Sequence, residues 1–384
     1  MSRLKVLFIT SWYPTKEQPV GGIFVREHAK AVKLYDDVVI LHCAGEDNRI
    51  KGLWRFEEEA DLLLTEGIPT YRVWYRPCLP KGNILIYIYS VFQAFRYIVR
   101  QGFRPDIIHA HIYEAGLPAV IVGKLYNLPV MITEHWSGFP RKALSIKDIL
   151  IARLAFQNAH RVFPVSKVLQ KGIEAYGIRA NFQIIPNVVN TELFWPYQKP
   201  RNRFKKLLLV ALLTPIKGVP YLLQALAQLR GKHDSWHLDI VGDGPARAEY
   251  EQMAIKLGIA DKVTFHGLKP KREVAEFMRK ADLFVLPSLY ETFGCVLIEA
   301  MASGIPVIAT SCGGPEDIVK KEVGIIVPPR DISALAGAIE KMLDSSDSYK
   351  PERIRKYVEE TFSPEAVGQQ LHKLYLKTVR LNET

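Results

Sequence analysis

The chain alternates throughout between short apolar runs and longer stretches with helical spacing. In the first half, the runs predicted as strands are Leu4–Thr10, Asp37–Cys43, Ile68–Tyr75, Ile107–His111, Pro129–Thr133, Arg161–Val165 and Gln183–Ile185. In the second half they are Lys206–Leu212, His237–Val241, Val263–His266, Leu283–Leu286, Pro306–Ala309 and Gly324–Val327. Helical spacing is clearest in Gly22–Tyr35, Gly116–Tyr126, Val219–Leu229, Ala246–Leu257, Arg272–Lys280 and Val296–Ala302. Strands that alternate with helices in this way indicate βαβ units and parallel sheets, and therefore an α/β fold.

The length of 384 residues predicts two domains. The segment WPYQKPRNR, Trp195–Arg203, carries prolines and charges without periodicity, which is typical of a linker. We expect a first doubly wound, Rossmann-like domain over residues 1–195, a linker over 196–203 and a second such domain over 204–363. A helix over 364–384 is expected to pack back toward the first domain. Parallel sheets bind ligands at the carboxyl ends of their strands, so a cleft between the domains is the expected site.

Several classes of protein are disfavoured by what the sequence does not contain. It has no run of 18 uncharged apolar residues, so no membrane-spanning helix is expected. The N-terminal run MSRLKVLFITSWYP resembles a first strand more than a signal peptide. Cys43, Cys78, Cys295 and Cys312 lack CxxC spacing, which argues against a zinc site or a disulfide framework. A reducing cytoplasm is the expected location.

The formal net charge is +11, and two stretches concentrate the basic residues. Residues Tyr71–Arg104 contain six basic residues, nine aromatic residues and no acidic residue. Residues Arg141–Arg161 contain five basic residues and a single acidic one, Asp148. Such stretches suit an anionic membrane surface and can also bind nucleic acid. They are equally typical of a solvated helix face, and the sequence leaves these alternatives open.

The stretch PSLYETFGCVLIEAMASGIPVIAT, Pro287–Thr310, carries the most specific chemistry. Glu291 and Glu299 are eight positions apart, and Gly294-Cys295 between them is a predicted strand-to-helix turn. Glu291 then precedes the helix, Glu299 lies on its first turns, and the N–H groups at the turn can bind a phosphate. Two carboxylates that accept hydroxyl donors beside such a helix end suit a sugar attached to a nucleoside diphosphate.

This stretch resembles the E-x7-E signature of the retaining glycosyltransferases of family four, which have the two-domain GT-B architecture, and the likeness spans nearly the whole chain. The resemblance implies that Glu291 contacts the transferred sugar and stabilises charge at its anomeric carbon. It also implies that Glu299 binds the ribose hydroxyls of the donor. The backbone of Phe293, Gly294, Cys295 and Val296 is expected to face the diphosphate or the sugar.

Lys217, in LTPIKGVPYLLQAL, is expected to neutralise the departing phosphate together with a helix N-terminus. The family usually has a Gly-Arg pair shortly before this lysine. This chain has Ala211 and Leu212 there, so one expected cation is missing.

Other positions match the family less specifically. Gly21 and Gly22 follow the first strand and are expected to close over the donor phosphates. His135 ends the strand MITEH and is expected to hydrogen-bond, as a neutral imidazole, either a hydroxyl of the transferred sugar or the reacting oxygens. His109 and His111 are weaker candidates, with structural or acceptor-side roles. Gly242 and Leu268 match positions near the nucleotide.

The function implied is transfer of a sugar, with retention, from a UDP- or GDP-sugar to a lipid-linked or glycan acceptor in cell-surface glycan synthesis. The expected location is cytoplasmic, with a peripheral position on the inner face of the membrane as the alternative. No DxD motif is present, so neither a metal nor another cofactor is expected, and no nucleic-acid partner is expected. A non-catalytic nucleotide-sugar-binding protein and a sugar-nucleotide epimerase on the same fold are the alternatives.

Overall fold

The computed structural model describes residues 3–77, 83–197, 205–345 and 348–383. The chain forms two compact units, Met1–Val188 with Pro364–Thr384, and Val189–Ser363. The division after Val188 falls slightly before the predicted domain boundary at residue 195. Most of the predicted linker, from residue 198 onward, lies outside the described residues, as does Cys78.

The first unit contains a seven-stranded sheet. Its strands are β1 (Lys5–Thr10), β2 (Asp37–Glu46), β3 (Trp54–Glu58), β4 (Thr70–Tyr75), β5 (Ile107–His111), β6 (Val130–Glu134) and β7 (Arg161–Pro164). Its first six helices are α1 (Ile23–Lys33), α2 (Leu62–Thr65), α3 (Asn83–Arg100), α4 (Tyr113–Tyr126), α5 (Ile146–Asn158) and α6 (Lys167–Glu174). The strand order is β3-β4-β2-β1-β5-β6-β7, and all neighbours are parallel except β3 and β4. The central strands are buried on both faces, as a sheet covered by helices requires.

The second unit contains a six-stranded, wholly parallel sheet. Its strands are β8 (Lys205–Val210), β9 (Trp236–Val241), β10 (Val263–Phe265), β11 (Leu283–Leu286), β12 (Val307–Thr310) and β13 (Gly324–Val327). Its helices are α7 (Val219–Leu229), α8 (Arg247–Lys256), α9 (Lys271–Lys280), α10 (Cys295–Ala302), α11 (Pro315–Ile318), α12 (Ile332–Ser345) and α13 (Pro351–Phe362). The strand order is β10-β9-β8-β11-β12-β13. Short 3-10 turns occupy Pro215–Lys217 and Ala260–Lys262.

The C-terminal helix α14 (Pro364–Glu383) belongs to the first unit and packs on α1. Gly368 allows this close approach, because a Cβ there would lie 2.2 Å from the carbonyl oxygen of Ala31. His372 Nδ1 lies 2.9 Å from the buried Asp36 carboxylate. These contacts fix the end of the chain to the helix that follows β1.

The predicted α/β class with two Rossmann-like sheets is confirmed, but two details of the first unit differ from prediction. The predicted strand Gln183–Ile185 is wrong: the chain there makes a single bridge, between Phe182 and Val162. The N–H of Ile185 still donates to the carbonyl oxygen of Pro164 at 3.3 Å, but Pro164 has no N–H to donate in return, so no second bridge forms. The segment before residue 66 contains β3 and α2, neither of which was predicted.

Candidate functional site

Lys217 and Glu291 form an ion pair at the carboxyl edge of the second sheet. Lys217 lies in the 3-10 turn after β8, and Glu291 lies in the segment after the neighbouring strand β11. The chain continues from β8 to β9 on one side and later returns to β11 on the other. This is a topological switch point, where open α/β sheets bind ligands. Lys217 Nζ donates to Glu291 Oε1 at 2.7 Å, and Ser288 Oγ donates to the same oxygen at 2.8 Å.

Gly218 explains how the turn that carries Lys217 reaches this position. Its φ is +67°, and a Cβ there would lie 2.0 Å from the carbonyl oxygen of Pro287. A larger residue would therefore collide with the backbone that follows β11. The backbone N–H of Leu289 donates to the carbonyl oxygen of Ile216 at 2.8 Å, which joins the two segments. Lys217 is thus held beside the segment that carries Glu291.

The N-terminus of α10 lies between the two predicted carboxylates in the sequence. The helix begins at Cys295, after Gly294 with φ of +96°, and Gly294 caps it without a side-chain hydrogen bond. A helix N-terminus carries partial positive charge and is suited to bind an anion. The side chain of Phe293 is buried in the core, with its ring 6.1 Å from that of Phe362. Phe293 therefore has only its backbone to offer a ligand, whereas the side chains of Cys295 and Val296 are half-buried.

Glu299 lies on α10 and is only 6% exposed. Its Oε1 accepts a hydrogen bond from Lys271 Nζ, at the first position of α9. Its Oε2 is buried and has no hydrogen-bond partner among the described residues. A buried carboxylate oxygen without a donor is costly, so this atom is well placed to accept a hydroxyl from a ligand.

Lys271 was not predicted as a site residue. Its ammonium group also lies 5.4 Å from the centroid of the Phe194 ring. The run HGLKPKR contains Lys269, Lys271 and Arg272 within four positions, and no local pattern separates them. Only the packing of α9 against α10 selects Lys271 as the partner of Glu299.

The loop after β8 carries the residues that replace the family's Gly-Arg pair. Leu212 is 62% exposed, so an apolar side chain stands in solvent where the family has a cation. Gly242 has φ of +130°, and a Cβ there would lie 1.9 Å from the carbonyl oxygen of Ala211. Its N–H donates to the carbonyl oxygen of Gly267 at 2.9 Å, so this glycine is required by backbone packing. The neighbouring Leu268 is 75% exposed and accessible to a ligand.

The two predicted glycines of the first unit differ in their surroundings. Gly22 precedes α1 with φ of +65°, and a Cβ there would lie 2.4 Å from the carbonyl carbon of Trp12. Gly21 has ordinary dihedrals, and a Cβ there would lie 3.3 Å from the carbonyl oxygen of Gln18. The fold therefore requires glycine at position 22, whereas position 21 has more room.

A cavity of about 1020 Å³ lies within the first unit beside this glycine loop. Its lining includes Trp12, Gly22, His42, Arg55, Arg72 and Trp74. The guanidinium of Arg72 is buried and donates to Glu59 Oε2 at 2.7 Å and to the Pro14 carbonyl oxygen at 2.7 Å. Burial and the nearby Arg72 charge lower the pKa of His42 to about 3, so His42 can accept a hydrogen bond from Arg72 as a neutral ring.

His135 follows β6 and is 8% exposed. Its Nε2 lies 3.1 Å from Nδ1 of His111, and its ring centroid lies 4.3 Å from that of Phe24. Burial, followed by the nearby His28 and other rings, holds the pKa of His135 well below its usual range. The imidazole is therefore neutral, as a group that hydrogen-bonds a sugar hydroxyl without added charge should be.

His109 lies two residues before His111 on β5, so the two side chains are on the same face of the sheet. His109 has two side-chain partners. Its Nδ1 lies 2.5 Å from the Tyr375 hydroxyl on α14, and its Nε2 lies 2.7 Å from the Thr133 hydroxyl. Both ring nitrogens are thus occupied by groups of the same unit. This arrangement favours the structural role over the acceptor-side role.

Glu134 is a second residue that the sequence analysis missed. Its carboxylate accepts the backbone N–H groups of Tyr113 at 2.9 Å, His135 at 2.9 Å and Trp136 at 2.8 Å. It therefore holds the backbone on which His135 is carried. Burial raises its pKa to about 7, although these three donors act in the opposite direction. Glu134 is the one acidic residue of the otherwise uncharged run MITE. A carboxylate at the end of such a strand could have been predicted to bind nearby backbone N–H groups.

His28, His111 and His135 form a cluster whose ring nitrogens lie within 4.8 Å of one another. Nitrogen donors of this kind suit Zn²⁺ or a similar cation. However, the Nδ1 of His28 lies 3.1 Å from the Phe24 carbonyl oxygen, and its Nε2 lies 3.0 Å from that of Pro186. A neutral His28 ring can donate to only one of these carbonyl oxygens, and its other nitrogen faces the second carbonyl oxygen, so the cluster fits a metal poorly.

Comparison with known proteins identifies the family of this chain. The Glycosyltransferase Family 4 model matches residues 29–193, and the Glycosyl transferases group 1 model matches residues 189–361. An uncharacterized glycosyltransferase of Methanocaldococcus jannaschii is 34% identical over 410 residues, which is 97% of this chain and 98% of that protein. Glycogen synthase of Mycobacterium tuberculosis is 28% identical over 293 residues, 73% of this chain and 70% of that one.

Among solved structures, HepE of Anabaena in complex with UDP shares the fold. Its TM-score is 0.77 at 21% identity, with 97% of this chain and 100% of that chain covered. The matched family models and the glycosyltransferase relatives identify a nucleotide-sugar-dependent glycosyltransferase. The chain belongs to the family 4 glycosyltransferases, which have the GT-B fold.

Proposed function

We propose that this glycosyltransferase moves a sugar, with retention of configuration, from a UDP- or GDP-sugar to a lipid-linked or polysaccharide acceptor in cell-surface glycan synthesis. The observation that carries the proposal is the arrangement around α10. Lys217, after β8, pairs with Glu291, after β11. The N-terminus of α10 comes next in the chain, followed by buried Glu299, one of whose carboxylate oxygens has no hydrogen-bond partner among the described residues.

The buried Oε2 of Glu299 supports a donor with a ribose. Its other oxygen is held by Lys271, which fixes the orientation of the carboxylate before any ligand arrives. A ribose hydroxyl that donates to Oε2 would satisfy an atom that otherwise remains desolvated and unpaired. The UDP in the HepE complex makes a uridine nucleotide the first candidate for this chain.

Lys217 and the N-terminus of α10 support departure of a phosphate leaving group. The ammonium group and the helix end both stabilise negative charge that develops on the diphosphate. Glu291 would stabilise positive charge at the anomeric carbon, and its pairing with Lys217 holds the carboxylate in place before the donor binds. We propose that these groups act without a bridging metal, so chelation by EDTA should leave the turnover unchanged.

The proposed reaction keeps the configuration of the anomeric carbon. The bond from this carbon to the diphosphate oxygen breaks, and the bond to the acceptor oxygen forms on the same face. The proton of the acceptor hydroxyl passes to the departing phosphate oxygen. His135 is proposed to hydrogen-bond the transferred sugar as a neutral imidazole, and Glu134 keeps its backbone in position.

The acceptor proposal rests on the cavity of the first unit and on one relative. The cavity of about 1020 Å³ combines exposed Trp12 with Arg and Glu side chains, a lining suited to hydroxyl-rich molecules. The similar glycogen synthase is named for building a polysaccharide. An acceptor that carries a sugar, whether lipid-linked or polymeric, fits both observations.

One observation favours a second candidate, a protein that binds nucleotide sugars without transferring them. Leu212 leaves the phosphate end one cation short of the family pattern. Such a protein would bind donor and release no nucleoside diphosphate with any acceptor. An epimerase on the same fold would instead convert the donor when no acceptor is added.

The test is donor turnover by the purified protein with UDP-, GDP- and ADP-sugars, lipid extract and oligosaccharides. Release of nucleoside diphosphate that requires an acceptor is expected, and NMR of the product should show the donor's anomeric configuration. Glu291→Ala and Lys217→Ala should abolish most of this release, whereas Lys256→Ala, at an exposed position of α8, should not. An inverted product, or folded Glu291 and Lys217 variants that keep the wild-type rate, would refute the proposal.

A further inference from the structure

Helix α5 has an unusual distribution of apolar residues. It begins with a capping box, in which Ser145 and Asp148 bond each other's backbone N–H groups. Ala152, Ala155 and Phe156 are fully buried and attach the helix to the first unit. These contacts supply the single apolar stripe that a surface helix needs.

A second apolar stripe on α5 points to solvent. Ile146 is 80% exposed, and Leu150 and Leu154 are each 53% exposed. Their spacing of four places them along one line of the helix, about 12 Å long. Single exposed aliphatic side chains are common on protein surfaces. An aligned row of them on a well-anchored helix is typical of a surface that binds a protein or a membrane.

The charges beside this stripe are basic. Arg141 and Lys142 lie in the exposed segment before the helix, and Lys147 lies on its first turn. Asp148 is the acidic residue of the stretch, and its carboxylate is engaged in the capping box. Burial raises the pKa of the nearby Glu114 carboxyl group and the Lys147 charge acts in the opposite direction, so one further carboxyl group lies within electrostatic reach of Lys147. The end of the stripe at Ile146 is therefore flanked by cations.

The other basic and aromatic stretch behaves differently where it is described. The rings of Phe56, Tyr71 and Tyr97 pack on one another, with centroids 4.6 to 6.4 Å apart. Phe95 is buried, and the guanidinium of Arg72 is held by Glu59. These side chains serve the interior and surface packing of the unit. On α3, Leu85, Tyr89 and Tyr97 are also exposed at spacings of four and eight, but two of these three side chains are tyrosines. Of the two stretches, Arg141–Arg161 is the one whose exposed row is wholly aliphatic.

We infer that the α5 stripe, with Arg141, Lys142 and Lys147, docks on an anionic lipid membrane. Ile146, Leu150 and Leu154 would enter the boundary between headgroups and acyl chains, while the cations face the lipid phosphates. A protein partner would call for a complementary acidic surface, whereas an anionic bilayer matches both the apolar row and the cations at once. Among the described residues, no helix is long and apolar enough to cross the bilayer.

This docking goes beyond the proposed sugar transfer and does not depend on it. If the acceptor is lipid-linked, the membrane is where it is found, which gives the surface a use. Membrane binding can be measured without donor or acceptor. Failure of the docking and failure of the proposed function are therefore separate results.

The experiment is co-sedimentation of the full chain with vesicles of phosphatidylcholine containing about a third phosphatidylglycerol. Binding is expected at low salt and should weaken as salt rises, because surface charges are screened. The double variants Leu150→Gln/Leu154→Gln and Lys142→Glu/Lys147→Glu should each reduce partitioning by about tenfold or more. The replaced side chains are exposed or half-exposed, so the melting temperature should stay near that of the wild type.

Matched controls separate a docking surface from a general charge effect. Lys320→Glu/Lys321→Glu makes the same charge change on an exposed segment of the second unit, and Ile255→Gln removes a similarly exposed aliphatic side chain from α8. Both should bind vesicles as the wild type does. Three results would overturn the inference: no sedimentation with anionic vesicles at low salt, equal losses in the controls, or a dimer in ultracentrifugation that the Leu150 and Leu154 changes dissociate while vesicle binding persists.

Discussion

Lys217 Nζ donates to Glu291 Oε1 at 2.7 Å across 74 positions of sequence, which joins the turn after β8 to the segment after β11. Ser288 Oγ contacts the same oxygen at 2.8 Å. The lysine thus has two tasks in the proposed reaction: it holds the Glu291 carboxylate in place, and it supplies a cation for the leaving phosphate. Removing either partner should impair both tasks.

We expect Lys217→Ala and Glu291→Ala each to lower turnover by about a hundredfold to a thousandfold, as for loss of a group that stabilises transition-state charge. Because the two side chains act as a pair, the double variant should lose little more than the worse single variant. The measurement is nucleoside diphosphate release under saturating donor. Fully additive losses would show that the pair does not act as a unit.

Glu299 should determine preference for ribose over deoxyribose. Replacing it by Gln keeps the shape of the side chain but removes the charge that Lys271 and a ribose hydroxyl share. Wild-type protein should bind UDP about ten to a hundred times more tightly than the matching deoxynucleotide, as expected for a hydrogen bond to a charged acceptor. In Glu299→Gln this ratio should approach one, measured by calorimetry.

Glu322, on an exposed segment of the same unit, provides the control for this measurement. Glu322→Gln makes the same chemical change and should retain the wild-type preference. If Glu299→Gln also retained it, the ribose would have to be recognised elsewhere.

The difference between what the sequence predicted and what it missed follows from the range of the interactions. Strand and helix periodicity is a local property, so the two parallel sheets could be predicted. The edge strand β3, WRFEE, has largely exposed residues and no apolar run, so the same rule missed it. Glu291 and Glu299 belong to one contiguous motif. Lys271 joins Glu299 only through the packing of two helices, and one sequence does not contain that information.

Leu212→Arg should strengthen binding of nucleoside diphosphates. The position is 62% exposed, so an arginine can be accommodated without disturbing the core, and it would restore a cation that the family places there. We expect UDP to bind about tenfold more tightly at low salt, with a steeper loss of affinity as salt rises.

Leu212→Met is the matched variant for this experiment, because methionine is a long unbranched side chain, as arginine is, but carries no charge. It should bind UDP as the wild type does. Equal affinities of the Arg and Met variants would mean that the side chain at position 212 does not approach the phosphates.

Gly22→Ala and Gly21→Ala should differ sharply in stability. At position 22 the left-handed dihedral and the collision with the Trp12 backbone add together, so we expect a loss of more than about 2 kcal/mol. At position 21 the dihedral is ordinary and the nearest contact is 3.3 Å, so the loss should stay within about 1 kcal/mol. Urea unfolding of the two variants measures this, and similar losses would show that the loop is not held as described.

The buried imidazoles should make the first unit sensitive to acid. Burial lowers the pKa of His28 to about 4 and that of His42 to about 3, against an ordinary value of 6.5. Above pH 6.5 the folded and unfolded chains both hold neutral rings. As the pH falls below 6.5, these imidazoles become protonated in the unfolded chain but stay neutral in the folded chain. The free energy of unfolding therefore decreases. Buried Glu134, with a pKa raised to about 7, acts in the opposite direction between pH 7 and its unfolded value of 4.5.

His42→Gln isolates one of these histidines from the opposing carboxyl group. Glutamine keeps an acceptor for Arg72 but does not titrate. The wild type should therefore lose stability relative to this variant by up to about 1.4 kcal/mol for each pH unit from 6.5 down toward 3. The free energy of unfolding of the first unit can be measured by urea unfolding combined with proteolysis, with the fragments assigned to the two units by mass spectrometry. The control is His233→Gln, in the second unit. A difference between wild type and His42→Gln that did not change with pH would mean that the His42 ring is protonated as easily in the folded chain as in the unfolded one.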